Sequence, residues 1–277
     1  MKTPIGLFIG LSTYDIVVSS DDTIKMGVKI DAISLWKGAG GPATNAAIAF
    51  KQLGGESHLI SRIGNSTLGI QIKNELNKLG VTFTDIEDEK SSYEPPLSFI
   101  TVNSSGEKTI ISSISNQNKT DFQTANRFKG LKNIDIVCFD KHLGFKQIEL
   151  LDYFDITPKV YDPGRPSETA IELINEADYT IAPDYSEYFS LGAKYLDKNK
   201  MFAISRGDNS IEILGKGKKE INIRKVNVID TMGAGDILHG AFSFYKAKGI
   251  NSIDSLIKAS QTATESTTHW GARIKIS

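Results

Sequence analysis

An α/β fold with a central, mostly parallel sheet is the class this sequence predicts, and three observations predict it. Short apolar runs suited to buried strands alternate with helix-like segments for most of the 277 residues. Glycines fall where those helices have to stop, as Gly54-Gly55 and Gly80 do. Two stretches break the alternation and read as β-structure without crossover helices.

The first central strand is expected at Ile5–Ile9. The apolar run containing it has only Lys2 before it, continues into Ser12-Thr13-Tyr14-Asp15, and offers no small-residue cleavage site. It is also too short to span a bilayer, so a buried strand is the better reading than a signal peptide. A helix over residues 43–53, a strand over 57–61 and an amphipathic helix over 68–79 follow. Further βα units are expected at 135–139 with 145–154, at Lys159–Asp162 with 167–176, and at 179–182 with the segment beyond it. Met201–Ser205 is another strand. The interruptions cover about residues 16–37 and 97–113; in the second, two apolar runs flank Asn103-Ser104-Ser105-Gly106, a hairpin signal. The expected organisation is one domain over 1–277, with these two stretches forming a small inserted β-lid.

Bulk composition excludes several classes of function. Hydrophobic residues make up 40% and charged residues 23%, an ordinary globular balance, and a net charge of −1 offers no basic field for nucleic acid or a membrane surface. The single cysteine, Cys138, cannot form an internal disulfide, which suits a reducing, cytoplasmic location. No Cys/His cluster suggests a metal centre, and His142, His239 and His269 lack paired ligand spacing.

The strongest chemical signal is Asp230-Thr231-Met232-Gly233-Ala234-Gly235-Asp236, which follows a strand-like run over 226–229 and opens an apolar helix over 237–247. Small residues at Gly233, Ala234 and Gly235 allow close backbone approach to a ligand. Their N–H groups at a helix N-terminus can hold a phosphoryl group, with Asp236 one residue beyond to take a proton. The helix end also favours the ionised carboxylate, which by itself would make Asp236 a weaker base. The string is neither the dinucleotide fingerprint nor a P-loop, since Leu238 stands three residues after Gly235 and no Gly-Lys-Ser or Gly-Lys-Thr run occurs. On the acceptor side, Asp15 follows the first strand, where open α/β sheets bind ligands, and can accept hydrogen bonds from vicinal hydroxyls. Gly40 and Gly41 permit close backbone approach, and Asn45 offers both a donor and an acceptor.

The string 230–236 resembles the C-terminal signature of the ribokinase-like (PfkB-type) carbohydrate kinases. Gly40-Gly41-Pro42-Ala43-Thr44-Asn45-Ala46-Ala47 with Leu53-Gly54-Gly55 resembles their N-terminal glycine-pair motif, and Ile63-Gly64-Asn65-Ser66-Thr67-Leu68-Gly69 with Leu79-Gly80-Val81 resembles the next block. The resemblance implies a three-layer sandwich with a β-lid over the sugar and Asp236 as catalytic base. It also implies that Asp15, Gly40, Gly41 and Asn45 bind sugar, and that ATP, Mg2+ and optionally a monovalent cation such as K+ take part. Arg165, in the turn Asp162-Pro163-Gly164-Arg165-Pro166, and Lys37 are candidates to read hydroxyl or phosphate oxygens. Phe99 and Ile110 are candidates for an apolar lid wall.

The nucleotide side resembles the family less closely. Glu187 in Asp184-Tyr185-Ser186-Glu187 fits the Asn-x-x-Glu motif whose glutamate organises magnesium, but Asp184 replaces its asparagine. A carboxylate beside a triphosphate is repulsive unless a cation intervenes, and Arg206 beside Gly207 could compensate by gripping phosphate. Thr231, Gly233, Gly235 and Ser260 complete the implied nucleotide set. A ketohexose of fructose type is favoured over ribose as acceptor. A nucleoside, for which Tyr14 and Trp36 are the nearby stacking partners, and a catalytically silent binding relative remain alternatives. A lid with exposed β-edges also suggests a homodimer.

Overall fold

The computed structural model describes residues 2–20, 27–103, 108–113, 130–195, 201–215 and 219–275. The first part of the chain forms β1 (Ile5–Ile9), β2 (Thr13–Ser19), β3 (Ser34–Gly40), α1 (Pro42–Gln52), β4 (Glu56–Ser61), α2 (Thr67–Leu79), β5 (Thr82–Asp85), β6 (Leu97–Val102) and β7 (Lys108–Ser112). The second part forms β8 (Ile136–Asp140), α3 (Gln147–Tyr153), β9 (Lys159–Asp162), α4 (Glu168–Glu172), β10 (Tyr179–Pro183), α5 (Ser186–Tyr195) and β11 (Met201–Ser205). It closes with β12 (Ser210–Leu214), β13 (Lys219–Asn222), α6 (Ala234–Ala247) and α7 (Ser252–Ser266).

One sheet has the order β13-β12-β11-β10-β9-β8-β1-β4-β5. It is parallel from β11 through β5, and the hairpin β12–β13 extends one edge antiparallel. A central parallel strand is covered on both faces, which is why β1 is apolar throughout rather than alternating. Phe8 packs with α1, α2, α6 and α7 on one face, through Ile48, Phe50, Leu76, Phe242 and Leu256. Leu7 and Ile9 pack on the other, with Leu150, Leu151 and Tyr188 of α3 and α5. Helix ends follow local chemistry: the Ser66 hydroxyl accepts from Gly69 N at 3.2 Å to start α2, and Gly80 (φ 71°) ends it in the left-handed conformation.

A separate sheet has the order β3-β2-β6-β7 and covers the expected insertion, whose turn residues 21–26 and 104–107 lie outside the described residues. Its inner face carries Asp15, Val17, Ser98, Ile100 and Val102, and packs on Met232 and Ala272. Alternation along β6 then turns Phe99 to the outer face, so it is no wall residue; Ile110, paired with Ile100, shares the inner face.

Three further differences from the sequence reading have a physical cause. Residues 226–229 form no strand; their backbone is irregular, with Ile229 N and Asp230 N both donating to Thr267 O, and Val226 and Val228 line a cavity instead. β5 is too short to stand out in sequence; β13 is an exposed edge strand carrying Lys219 and Glu220, and β12 beside it interrupts its apolar run with the buried Glu212.

Helices α1 and α6 approach closely because Gly240 faces Ala46: a Cβ at 240 would overlap the Ala46 carbonyl oxygen. Gly240→Val is expected to cost about 1–3 kcal/mol through overpacking. Urea unfolding checks this, and an unchanged midpoint would remove the packing argument.

Candidate active site

The glycine pair between β3 and α1 brings the backbone against two neighbours. A Cβ on Gly40 would overlap the Asp15 carboxylate, and Gly41 (φ 93°) has Leu11 O where its own Cβ would stand, 2.5 Å away. One turn into α1 lies buried Asn45; Gly233 (φ 67°) caps α6 and places Asp236 in its first turn. The close α1–α6 packing lets Asn45 Nδ2 donate to Asp236 Oδ2 at 2.8 Å. Asp15, Gly40, Gly41, Asn45 and the loop 233–236 therefore share one site.

Burial pushes the Asp236 carboxyl up to about 7, and the nearby Asp162 carboxylate adds to this; the Asn45 hydrogen bond, His239 and Lys108 pull the other way. The expectation that the helix end would make Asp236 a weaker base is overturned: loss of water outweighs the helix-end field. Asp15 is also raised by burial, against hydrogen bonds from Thr13 (2.6 Å) and Ser98. At the end of β8, burial would raise Asp140, but His142 and the amides of Leu11 and His142 outweigh it and hold the carboxyl below its ordinary value. Asp140 Oδ2 also receives the Ala43 amide at 3.3 Å, fixing the start of α1.

A cavity of about 400 Å3 adjoins the signature loop, lined among others by Gly207, Thr231, Ala234, Gly235, Ser260 and Thr264. A second cavity of about 360 Å3 borders Leu11, Thr13, Ser61, Arg62, Ser112 and His142. Both open where parallel strands end, the usual ligand edge of such a sheet.

Other expected residues sit further out. Arg206 is not among the residues lining the first cavity; its guanidinium meets Glu212 at 2.5 Å and Asp184 at 3.7 Å and lies over the Phe189 ring. It therefore neutralises two carboxylates rather than facing a phosphate. Asp184 and Glu187 are exposed at the start of α5. Arg165 is exposed, and its carbonyl takes the Lys141 ammonium. Lys37 lies on β3 paired with Ile16, in the outward row.

Sequence reasoning missed Asp162, Lys108, Glu75 and Arg273. Asp162 ends a strand beside the quoted Arg165 turn, so its position was the available signal. Nothing in the local sequence marks Glu75 or Arg273, which meet only in three dimensions: Arg273 Nη1 donates to Asn45 Oδ1 at 3.1 Å and Nη2 to Glu75 Oε1 at 2.7 Å.

The model of the pfkB family carbohydrate kinases matches residues 7–156 and 165–277. The chain belongs to this family. It is a carbohydrate kinase of ribokinase-like fold. It is 26% identical over 278 residues to the ribokinase of Bacillus subtilis, covering 96% of this chain and 93% of that protein. It is 27% identical over 274 residues to a probable fructokinase-5 of Arabidopsis thaliana, covering 87% and 82%. The structure of Arabidopsis thaliana ribokinase complexed with ribose and ATP superposes with a TM-score of 0.73 at 20% identity, covering 98% of this chain and 94% of that one. Among the described residues, no helix is long and apolar enough to cross a membrane.

Because the folded carboxyl of Asp236 is raised, its charged form opposes folding. Stability should fall as pH rises from about 4, where the unfolded group ionises, to about 7, where the folded one has. Asp236→Asn should gain on wild type across that window by at most roughly 4 kcal/mol. Melting curves at pH 4.5 and 8 check this; an equal difference at both would contradict the buried-carboxyl account.

Proposed function

We propose that the chain transfers the γ-phosphoryl group of ATP to a hydroxyl of a sugar, with Asp236 as the base. One observation carries this reading: a carboxyl raised to about 7 stands in the first turn of a helix whose amide-rich N-terminus adjoins a cavity suited to a nucleotide. Asp15, Gly40, Gly41 and Asn45 position the acceptor beside it. The acceptor oxygen attacks the γ-phosphorus, its proton passes to Asp236, and the bond to the β-phosphate oxygen breaks to release ADP. The amides of Gly233, Ala234 and Gly235 hold the equatorial oxygens while charge redistributes. The ATP and ribose in the Arabidopsis ribokinase complex support this choice of substrates.

Gly207, Thr231 and Ser260 line the nucleotide cavity. Asp184 and Glu187, exposed at the start of α5, are hard oxygen donors. This fits Mg2+, which is carried mainly by phosphates and water with one or two carboxylates. When bound, Mg2+ would neutralise phosphate charge, with Asp184 and Glu187 holding its water shell. Arg206 offsets the charge of Asp184 from the side.

We read residues 1–277 as one domain whose second sheet is a lid that excludes water from the acceptor site. Its outer face exposes Leu35, Phe99 and Ile111, which supports pairing with a second copy into a homodimer. The buried thiol of Cys138 suits a reducing cytoplasm. The acceptor is a ribose-like pentose or a fructose-like ketose, as the ribokinase and fructokinase relatives suggest. A nucleoside fits less well, because Arg273 already lies over the Trp36 ring that would stack on a base.

ADP release should be measured with and without K+ against pentoses, ketoses, sugar phosphates and nucleosides. Turnover with a pentose or ketose is expected, falling by roughly 1000-fold or more in Asp236→Asn, with an acid limb near pH 7 in wild type. Wild-type turnover by Asp236→Asn would remove the base assignment. A second prediction concerns assembly: Phe99→Glu should halve the particle mass by light scattering if the outer face joins two copies.

A further inference from the structure

Arg273 is one residue with five structural ties. Its Nη1 donates to Asn45 Oδ1 (3.1 Å) and to its neighbour's carbonyl, Ala272 O (2.7 Å). Its Nη2 donates to Ala39 O and Glu75 Oε1, both at 2.7 Å, and the guanidinium carbon lies 5.2 Å from the centroid of the Trp36 ring. Glu75 closes the circuit, because its Oε2 accepts the Ala39 amide at 2.6 Å. The ion pair is mostly enclosed, with side-chain exposures of 14% for Arg273 and 25% for Glu75.

The consequence lies in the Asn45 amide. A primary amide has an acceptor at one end and donors at the other. With Oδ1 held by a guanidinium, Nδ2 must face Asp236, where it donates at 2.8 Å. Without Arg273 the amide can turn, and an oxygen facing a carboxylate would be repulsive. The same guanidinium holds Ala39, the residue before the glycine pair, so the acceptor backbone and the Asn45–Asp236 contact are set by one group. Lysine cannot replace it, since a single ammonium lacks the planar fork that reaches Asn45, Ala39 and Glu75 together.

We propose that Arg273, held by Glu75, is a positioning residue of the phosphoryl-transfer site: it orients the Asn45 amide toward Asp236 and ties that pair to the root of the second sheet. The proposal rests on the reading of Asp236 as the base. The other ionisable groups facing Asp236 are Asp162 at the end of β9, Lys108 on β7, Cys138 on β8 and His239 on α6 itself. None of them is changed by substituting Arg273. Asp15 faces Arg273 too, and would lose a favourable charge.

The experiment compares wild type, Arg273→Ala, Arg273→Lys, Asn45→Ala and the double variant in ADP release from pH 5 to 9, using the sugar the wild type turns over. Arg273→Ala should lower kcat/KM by about 10–100-fold, the worth of a charge-assisted hydrogen bond. It should also move the acid limb upward, since Asp236 loses a donor that favours its ionised form. Arg273→Lys should recover little. In the Asn45→Ala background, removing Arg273 should cost less than about 3-fold, because the two act as one unit. An unmoved acid limb, or losses that multiply in the double variant, would overturn the proposal. If Arg273→Ala does not fold, Glu75→Gln carries the test by the same criteria, with a smaller upward shift expected. Asp236→Asn is run alongside: if it remains active, the base assignment fails. If it is silent while Arg273→Ala keeps the wild-type limb, only the present proposal fails.

Discussion

The site depends on how closely two helices can pack. Asn45 and Asp236 are 191 positions apart and hydrogen-bond only because Gly240 of α6, lacking a side chain, lets α6 abut the Ala46 backbone of α1. α1 is alanine-rich along this contact, with Ala43, Ala46 and Ala47 buried, and α6 contributes Gly240 and Ala241. Small residues give up hydrophobic area to let backbones approach, and here the approach places an amide against a carboxylate. Elsewhere in the same core, Phe50, Phe242 and Phe244 supply the bulk that this contact lacks.

The electrostatics of the site follow from that enclosure. Two effects act on Asp236 in opposite directions: the helix N-terminus favours its charged form, and removal of water favours its neutral form. Removal of water wins, helped by Asp162, and pushes the carboxyl up to about 7. Asp140 shows the opposite outcome at similar depth. Three donors and His142 surround it, so burial is offset and its carboxyl is held low. Two buried carboxyls thus serve different ends. One is raised toward neutral pH, while the other is held as an anion by amides at the start of α1.

The second sheet shows how strand periodicity divides labour. Along β2 and β6 every other residue faces the core, so Asp15, Val17, Ser98 and Ile100 share one side while Ile16 and Phe99 share the other. The inner side mixes the buried Asp15 carboxylate with an apolar wall that rests on Met232 of the signature loop. The sheet and the loop that would hold phosphate are therefore in contact, and Arg273 meets the same sheet at Trp36 and Ala39.

Much of this was legible in the sequence. Alternating apolar runs specify a parallel sheet because burial on both faces demands them, and Lys159–Asp162 and Met201–Ser205 form as read. The strings around Gly40-Gly41 and 230–236 announce themselves because a close backbone approach needs consecutive small residues. Three things were not legible. The run 226–229 is apolar yet unpaired, since lining a cavity and filling a strand require the same residue types. Arg206, which the sequence suggests as a phosphate ligand, is held by Glu212 on the neighbouring antiparallel strand. Glu75 and Arg273 carry no local pattern, because their roles depend on partners 198 positions apart. The sequence by itself determined the sheet, the glycine loops and the identity of the acid at position 236. Only the tertiary structure decided that acid's proton affinity and the orientation of the amide beside it, because both depend on which distant groups exclude water and which donate hydrogen bonds.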